Sequence, residues 1–189
     1  YSPPASNVAN TNPAIQDYLG NDASSFTSYS VYTGYNLPVN TVNLKSFTAP
    51  VNSQIAINGL GLKDAWNATD TYNAQTTLSV KSGTLQLLAS AATANSIQVF
   101  ESDGTTTVGV SNSYYQSKTN SIVIKGTLSQ INAFLSTPGD VLYTAPASYL
   151  STGDVLTISS RRFQLGYMAA TDVDSISIVA PGGTGLGMS

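Results

Sequence analysis

The chain has no cysteine and no histidine among its 189 residues. Without cysteine there is no disulfide, no thiolate metal site and no cysteine nucleophile. Without histidine the usual general base, the imidazole metal ligand and the Ser-His and Cys-His nucleophile pairs are all missing. Glu101 is also the single glutamate. These absences exclude most common enzyme classes, so we expect a protein that is not an enzyme.

Charge is scarce as well. Charged residues make up 9% of the chain, against about 25% in an average soluble protein. Seven Lys and Arg and a net charge of −3 argue against a nucleic-acid partner, and we interpret the one basic pair, Arg161-Arg162, as an ordinary strand-edge pair. No apolar run reaches the roughly 18 residues of a membrane span, so no membrane insertion is predicted. The neutral, hydroxyl-rich composition is typical of chains that pack against copies of themselves or face the outside of a cell or particle.

What the chain does contain is a series of short β-rich segments separated by turn signals, which predicts an all-β sandwich. The candidate strands are Gln54–Leu60, Thr76–Lys81, Thr84–Leu88, Ile97–Phe100, Thr106–Val110, Ser121–Lys125, Val141–Thr144, Val155–Ser160, Phe163–Met168 and Val173–Val179. Alternating apolar residues predict the core. They are Ile55/Ile57, Leu78/Val80, Ile122/Ile124, Leu156/Ile158 and Ile176/Ile178, with Trp66 and Phe134 closing the ends.

The segment Gly126–Ser159 changes its hydrophobic period midway. Thr127 or Ser129 can cap a short helix, and Pro138-Gly139 ends it. Alternating strand patterns follow on both sides of the turn at 151–154. The apolar residues at helical spacing are Leu128, Ile131, Phe134 and Leu135.

The order of these pieces resembles the cadherin-like, immunoglobulin-type repeats of large bacterial surface adhesins. Thr77–Leu88 supplies a T-L-S-V strand and a G-T-L turn, and Gly126–Leu135 supplies the G-T-L-x-x-I-N-x-x-L helix. The L-x-Y-T-P strand follows, with Ala145-Pro146 for the family's proline, and then the D-x-L-T-I strand. The resemblance implies an immunoglobulin- or cadherin-like β-sandwich with one short helix. The adhesins string many such domains together, whereas this chain shows no internal repeat.

We predict three segments: an extended N-terminal arm at 1–47, the sandwich at 48–180 and a Gly-rich tail at 181–189. The arm is rich in Asn, Ser and tyrosine. Tyrosines bury a large area at low entropic cost, which favours an arm that docks on another subunit; a flexible linker is the alternative. The predicted assembly contacts are Tyr18, Tyr29, Tyr32 and Tyr35.

No catalytic site is predicted. Glu101 and Asp103 lie two residues apart in an E-S-D-G stretch that reads as a hairpin turn rather than a glycosidase pair. We interpret Lys81-Ser82 and Ser117-Lys118 as chance neighbours in a Ser-rich chain rather than Ser-Lys dyads.

Calcium is the one cofactor that the resemblance raises, because related domains carry Asp-rich turns. Asp172 and Asp174 match the family's final D-x-D, while the turn that begins near Asp64 departs from its D-x-D-A pattern. These three residues are weak calcium candidates. A solvated strand edge is the favoured interpretation, and no cofactor is expected.

Three functions remain open. The first is a structural protein of a virion surface that decorates or cements a phage capsid or tail through its arm. The alternative is a secreted subunit of a prokaryotic extracellular filament or adhesive layer, which the start at Tyr1 favours if a leader has been removed. A free carbohydrate-binding or enzymatic module is the third. The expected partners are copies of the chain itself or a major capsid or filament protein.

Overall fold

The computed structural model describes residues 38–64, 72–147, 153–163 and 171–181. Within these ranges the chain forms thirteen strands and two helices. The strands are β1 (Pro38–Val42), β2 (Ser46–Thr48), β3 (Gln54–Ala56), β4 (Leu60–Asp64), β5 (Asn73–Val80), β6 (Thr84–Leu88), β7 (Gln98–Phe100), β8 (Val110–Ser111), β9 (Tyr114–Gln116), β10 (Ser121–Thr127), β11 (Val141–Thr144), β12 (Asp154–Arg162) and β13 (Thr171–Val179), and the helices are α1 (Ala89–Ala94) and α2 (Leu128–Ser136). No helix in the described ranges is long and apolar enough to cross a membrane.

Six strands form the larger sheet, in the order β2-β13-β12-β5-β10-β7. Its pairs are antiparallel except β2 with β13, which is parallel. Leu78 in β5 lies opposite Ile122 in β10 and Ile158 in β12, and all three are fully buried. Because side chains alternate along a strand, this register places an apolar row on the inner face and leaves a mostly polar outer face, with Val155 and Val173 among its exposed apolar residues.

The second layer is a five-stranded sheet, in the order β3-β11-β6-β9-β8. Its inner residues Leu85, Leu87 and Tyr143 belong to the same core cluster as Leu78 and Ile122 of the larger sheet. The two sheets therefore enclose one core, and the predicted fold class, an all-β sandwich with a short helix, is confirmed. The predicted core residues in the described ranges are buried, apart from Ile55, which is half-buried; Trp66 lies outside those ranges.

Helix α2 closes the core as predicted. Leu128, Ile131, Phe134 and Leu135 are its buried residues. Of the two cap candidates, Thr127 takes the role: its Oγ1 accepts the Gln130 N–H (3.3 Å), and its own N–H donates to Gln130 Oε1 (2.8 Å). This reciprocal capping box satisfies two N–H groups that the helix start would otherwise leave unpaired.

The structure also departs from the predicted elements. Predicted strand Gln54–Leu60 is divided into β3 and β4, which Gly59 permits by adopting φ +77°. Predicted strand Thr106–Val110 is mostly irregular, with one bridge from Thr107 to Phe100. Helix α1 was not predicted, because it has only six residues and no side-chain cap. Strand β9 was not predicted either. Most of predicted strand Phe163–Met168 falls outside the described residues.

The end of the predicted arm belongs to the sandwich. β1 pairs antiparallel with β4, and β2 pairs parallel with β13, although both strands begin within 1–47. The compact unit that contains the sandwich runs from Asn36, and the other unit is Tyr1–Tyr35. Residues 38–47 are therefore sandwich, and the boundary predicted at residue 48 is too late. Residues 1–37 and 182–189 lie outside the described ranges.

Candidate functional site

A buried carboxylate joins three parts of the sandwich, the turn after β5, strand β11 and the start of β12. Asp154, at the start of β12, is 4% exposed. Its oxygens accept hydrogen bonds from five groups, the backbone N–H of Lys81 (2.8 Å), Ser82 (3.2 Å), Gly83 (2.7 Å) and Val155 (2.8 Å) and the hydroxyl of Tyr143 (2.8 Å). An ionised carboxylate has about four lone-pair sites, so these donors fill its capacity. Asp154 therefore holds the turn after β5 against β11 and β12.

The turn that Asp154 holds requires a glycine. A Cβ on Gly83 would lie 2.1 Å from the ring of Tyr143, a distance that no packed side chain adopts. Tyr143 is itself fully buried, so its ring cannot move aside into solvent. Gly83, Tyr143 and Asp154 come from the G-T-L, V-L-Y-T and D-x-L-T-I pieces of the sequence. The three motif pieces meet at one point, and their shared role is to fix the sandwich.

Glu101 and Asp103 lie in a turn, as predicted. The Glu101 N–H donates to the Thr106 carbonyl (2.7 Å), which closes the turn. The Glu101 carboxylate accepts hydrogen bonds from the Ser117 hydroxyl and the Lys118 N–H. Both oxygens of Asp103 accept bonds from the loop, including 2.6 Å from the Thr106 hydroxyl. The two carboxylates thus accept hydrogen bonds from different segments, Glu101 from residues 117–118 and Asp103 from residues 105–106.

The two Ser-Lys neighbours have structural partners. The Ser82 N–H donates to Asp154, and the Ser117 hydroxyl donates to Glu101. The Glu101 carboxylate also accepts the Lys118 N–H, so Ser117 and Lys118 form a loop contact with Glu101.

Asp140 is a second buried carboxyl, 5% exposed, in the turn after α2. Burial raises the pKa of its side chain. A raised pKa is common among the acids of active sites, but burial alone produces the shift of Asp140.

Carboxylates are also metal ligands. In the described parts of the chain, no three acidic residues lie close enough to hold one metal ion together.

The calcium candidates lie on two different strands. Asp172 and Asp174 are in β13, and Asp64 ends β4. The Asp172 carboxylate accepts the Asn40 N–H (2.7 Å), and the Asn40 side chain donates to the carbonyls of Asp172 (3.0 Å) and Ile158 (3.3 Å). Asp172 thus fastens β1 to the larger sheet. The assembly candidates Tyr18, Tyr29, Tyr32 and Tyr35 lie outside the described residues.

Sequence reasoning missed a groove on the outer face of the larger sheet, which we name the Arg161 groove. It has a volume of about 240 Å³. Its lining is a guanidinium, an amide and three hydroxyls, from Arg161, Gln75, Thr77, Ser159 and Thr171. Arg161 Nη2 donates to Gln75 Oε1 (3.2 Å), which orients the guanidinium across the sheet. Pairing between β5, β12 and β13 creates this set, and no local pattern could reveal it.

No protein-family model and no curated protein matches the chain, so membership of the adhesin-repeat family stays a prediction. Among solved structures, the chain is similar to domain 1 of VCBP3 from Branchiostoma floridae, with 11% identity over 80% of this chain and all of that one and a TM-score of 0.38. It is also similar to ACE19, the collagen-binding subdomain of the Enterococcus faecalis surface protein ACE, with 7% identity over 75% of this chain and 94% of that one and a TM-score of 0.33. The assignment of the fold rests on the strand pairing described above.

Proposed function

We propose that the protein is a non-enzymatic structural protein of a virion surface, which decorates or cements a capsid or tail and assembles through its N-terminal arm. The observation that carries the non-enzymatic part is the state of Asp154. This carboxylate accepts hydrogen bonds from five groups of the sandwich, four backbone N–H groups and the Tyr143 hydroxyl. The chain has few ionisable groups, and the carboxylate of Asp154, its most deeply buried acid among the described residues, has a structural role.

The edges of the sandwich support assembly through an added segment. The four edge strands, β2, β3, β7 and β8, are two or three residues long. Short edges limit uncontrolled sheet-to-sheet pairing. Strand β8 is the most open of them, because Val110 is 55% exposed and Ser111 is exposed too. An extended tyrosine-rich arm from a neighbouring copy can add main-chain hydrogen bonds at this edge.

The arm is tested with the full-length chain in which Tyr29, Tyr32 and Tyr35 are all changed to Ser. Analytical ultracentrifugation and electron microscopy should show loss of the assembled form, because the aromatic area that docks the arm is gone. A control variant in which the same three residues are changed to Phe keeps the aromatic area and should still assemble. Unchanged assembly of the triple Ser variant would instead make the arm a linker.

Immunogold electron microscopy of the native source tests whether the protein lies on a virion or on a cell. Labelling of phage capsids or tails is the expected result. Labelling of cell-attached filaments would replace the virion assignment with the filament subunit, while the arm experiment above would keep its meaning.

A further inference from the structure

We infer that the Arg161 groove is a binding site for an acidic saccharide, with the ligand's carboxylate on Arg161 and its hydroxyls on the surrounding Ser and Thr side chains. The site is independent of the arm and of the proposed assembly.

The groove lies on a row of polar residues that crosses four strands. Lys125 in β10 is opposite Gln75 in β5, Gln75 is opposite Arg161 in β12, and Arg161 is opposite Thr171 in β13. In the next row, Thr77 lies opposite Ser159. The strand register therefore places two cations, one amide and three hydroxyls close together on the outer face of the larger sheet.

The two cations have different roles. Lys125 is held in place, since its Nζ donates to the Gly104 carbonyl (2.5 Å) and lies over the rings of Phe100 (4.6 Å) and Phe163 (4.5 Å). Arg161 is exposed, and its Nη2 donates a hydrogen bond to Gln75. A guanidinium has five N–H donors in a fork that matches a carboxylate. Arg161 can therefore donate further hydrogen bonds to a ligand in the groove.

Charge complementarity favours an anion. On β13 the acids Asp172 and Asp174 alternate with the outward residues Thr171 and Val173, and Asp172 binds Asn40 on the inner side. Among the described strands of the larger sheet, no acidic residue therefore shares the outer face with Arg161. Asp103, in the loop after β7, accepts hydrogen bonds from Thr105 and Thr106.

The hydroxyls and the amide specify a sugar rather than a simple anion. Ser and Thr hydroxyls both donate and accept, as sugar hydroxyls do. Gln75 is 8% exposed, so it is a fixed part of the floor. Phe163 is 41% exposed, and its ring lies against Lys125 (4.5 Å), which neighbours Gln75 in the row. A volume of about 240 Å³ lies below the roughly 300–1,000 Å³ of drug-sized pockets, which suits one sugar ring.

The test is an NMR titration of the full-length chain at low salt with a galacturonic-acid trisaccharide, with a galactose trisaccharide as the neutral match. We expect the acidic sugar to shift the amide resonances of Thr77, Ser159 and Thr171 and to bind at least tenfold more tightly than the neutral one. Arg161→Gln should weaken acidic binding at least tenfold, and Arg161→Lys should restore only part of it. Lys63→Gln removes one exposed positive charge from β4 and should bind as the wild type does.

Several results would overturn the inference. Equal binding of the acidic and neutral sugars, or no effect of Arg161→Gln in a chain with an unchanged spectrum, removes the role of Arg161. If acetate competes as strongly as the trisaccharide, the groove binds a carboxylate and does not recognise the sugar. Shifts of the same resonances on concentrating the chain alone would assign the face to a second copy.

Discussion

Asp154 shows how one ionised side chain organises a structure that has few charges. A buried carboxylate without partners would be strongly destabilising. Here the backbone of the turn after β5 supplies three N–H donors, and Tyr143 adds a hydroxyl. The same turn excludes a side chain at Gly83. The residues of the motif are thus explained by one hydrogen-bond network.

Asp154→Asn should destabilise the sandwich by more than about 3 kcal/mol, because the amide group faces N–H donors that it cannot satisfy. Tyr143→Phe removes the hydroxyl that donates to the Asp154 carboxylate and should cost about 1.5–3 kcal/mol. Urea unfolding followed by fluorescence measures both. Asp174→Asn is the control, since it removes a charge from a half-buried position and should shift the midpoint far less. Equal midpoints for all three variants would contradict the role of Asp154.

Asp103 predicts a pH dependence of the Glu101–Thr106 turn. The Thr106 hydroxyl, followed by the N–H groups of Thr105 and Thr106, lowers the pKa of Asp103 to about 2. The unfolded pKa is about 3.9. A depressed pKa stabilises the folded state above the unfolded value, and this contribution is lost as the pH falls from about 4 to 2. NMR titration should find the low pKa, and Thr106→Val should raise it; an ordinary pKa in the wild type would disprove the hydrogen bonds.

Helix α2 is the element that sequence alone predicted best. Its cap, its apolar spacing and its stop all lie within one short segment, and Ile131 and Phe134 are fully buried. Phe134→Ala should therefore cost about 3–5 kcal/mol, and Thr127→Ala, which removes the cap, about 1 kcal/mol. Ser136→Ala at the exposed end is the control. Denaturant midpoints unchanged by Phe134→Ala would show that α2 does not close the core.

Elements formed by distant residues were predicted poorly. β2 has only three residues, and its partner Ile178 is on the last described strand. Asn40 in β1 reads as a loop residue, yet its hydrogen bonds are to β12 and β13. The Arg161 groove has the same origin, because Gln75 and Arg161 meet only through strand pairing. Local propensity contains no information about such partners, whereas α2 and the 101–106 turn are local.

Over the whole molecule, the weak calcium candidates lead to a test by chelation. One carboxylate oxygen of Asp172 accepts a hydrogen bond from the Asn40 N–H. Calcium needs 6–8 oxygen ligands. We expect the melting temperature of the full-length chain to be the same in excess EDTA and in excess calcium. A fall of many degrees in EDTA that Asp172→Asn and Asp174→Asn abolish would establish a calcium site at β13.

The position of the boundary between arm and sandwich can be decided by two truncations. Deleting residues 1–35 removes the unit that precedes Asn36 and leaves β1 and β2 in place. Deleting residues 1–48 also removes β1 and β2, so that β13 becomes an edge strand and Asp172 loses its Asn40 partner. The shorter deletion should give a folded chain with nearly the stability of the full-length chain. The longer one should lose several kcal/mol or fail to fold, since buried strand contacts and backbone hydrogen bonds disappear together. Circular dichroism and urea unfolding measure both chains.

Equal stability of the two would return the boundary to residue 48 and make β1 and β2 dispensable, whereas unfolding of the shorter deletion would show that residues 1–35 are needed for the sandwich itself.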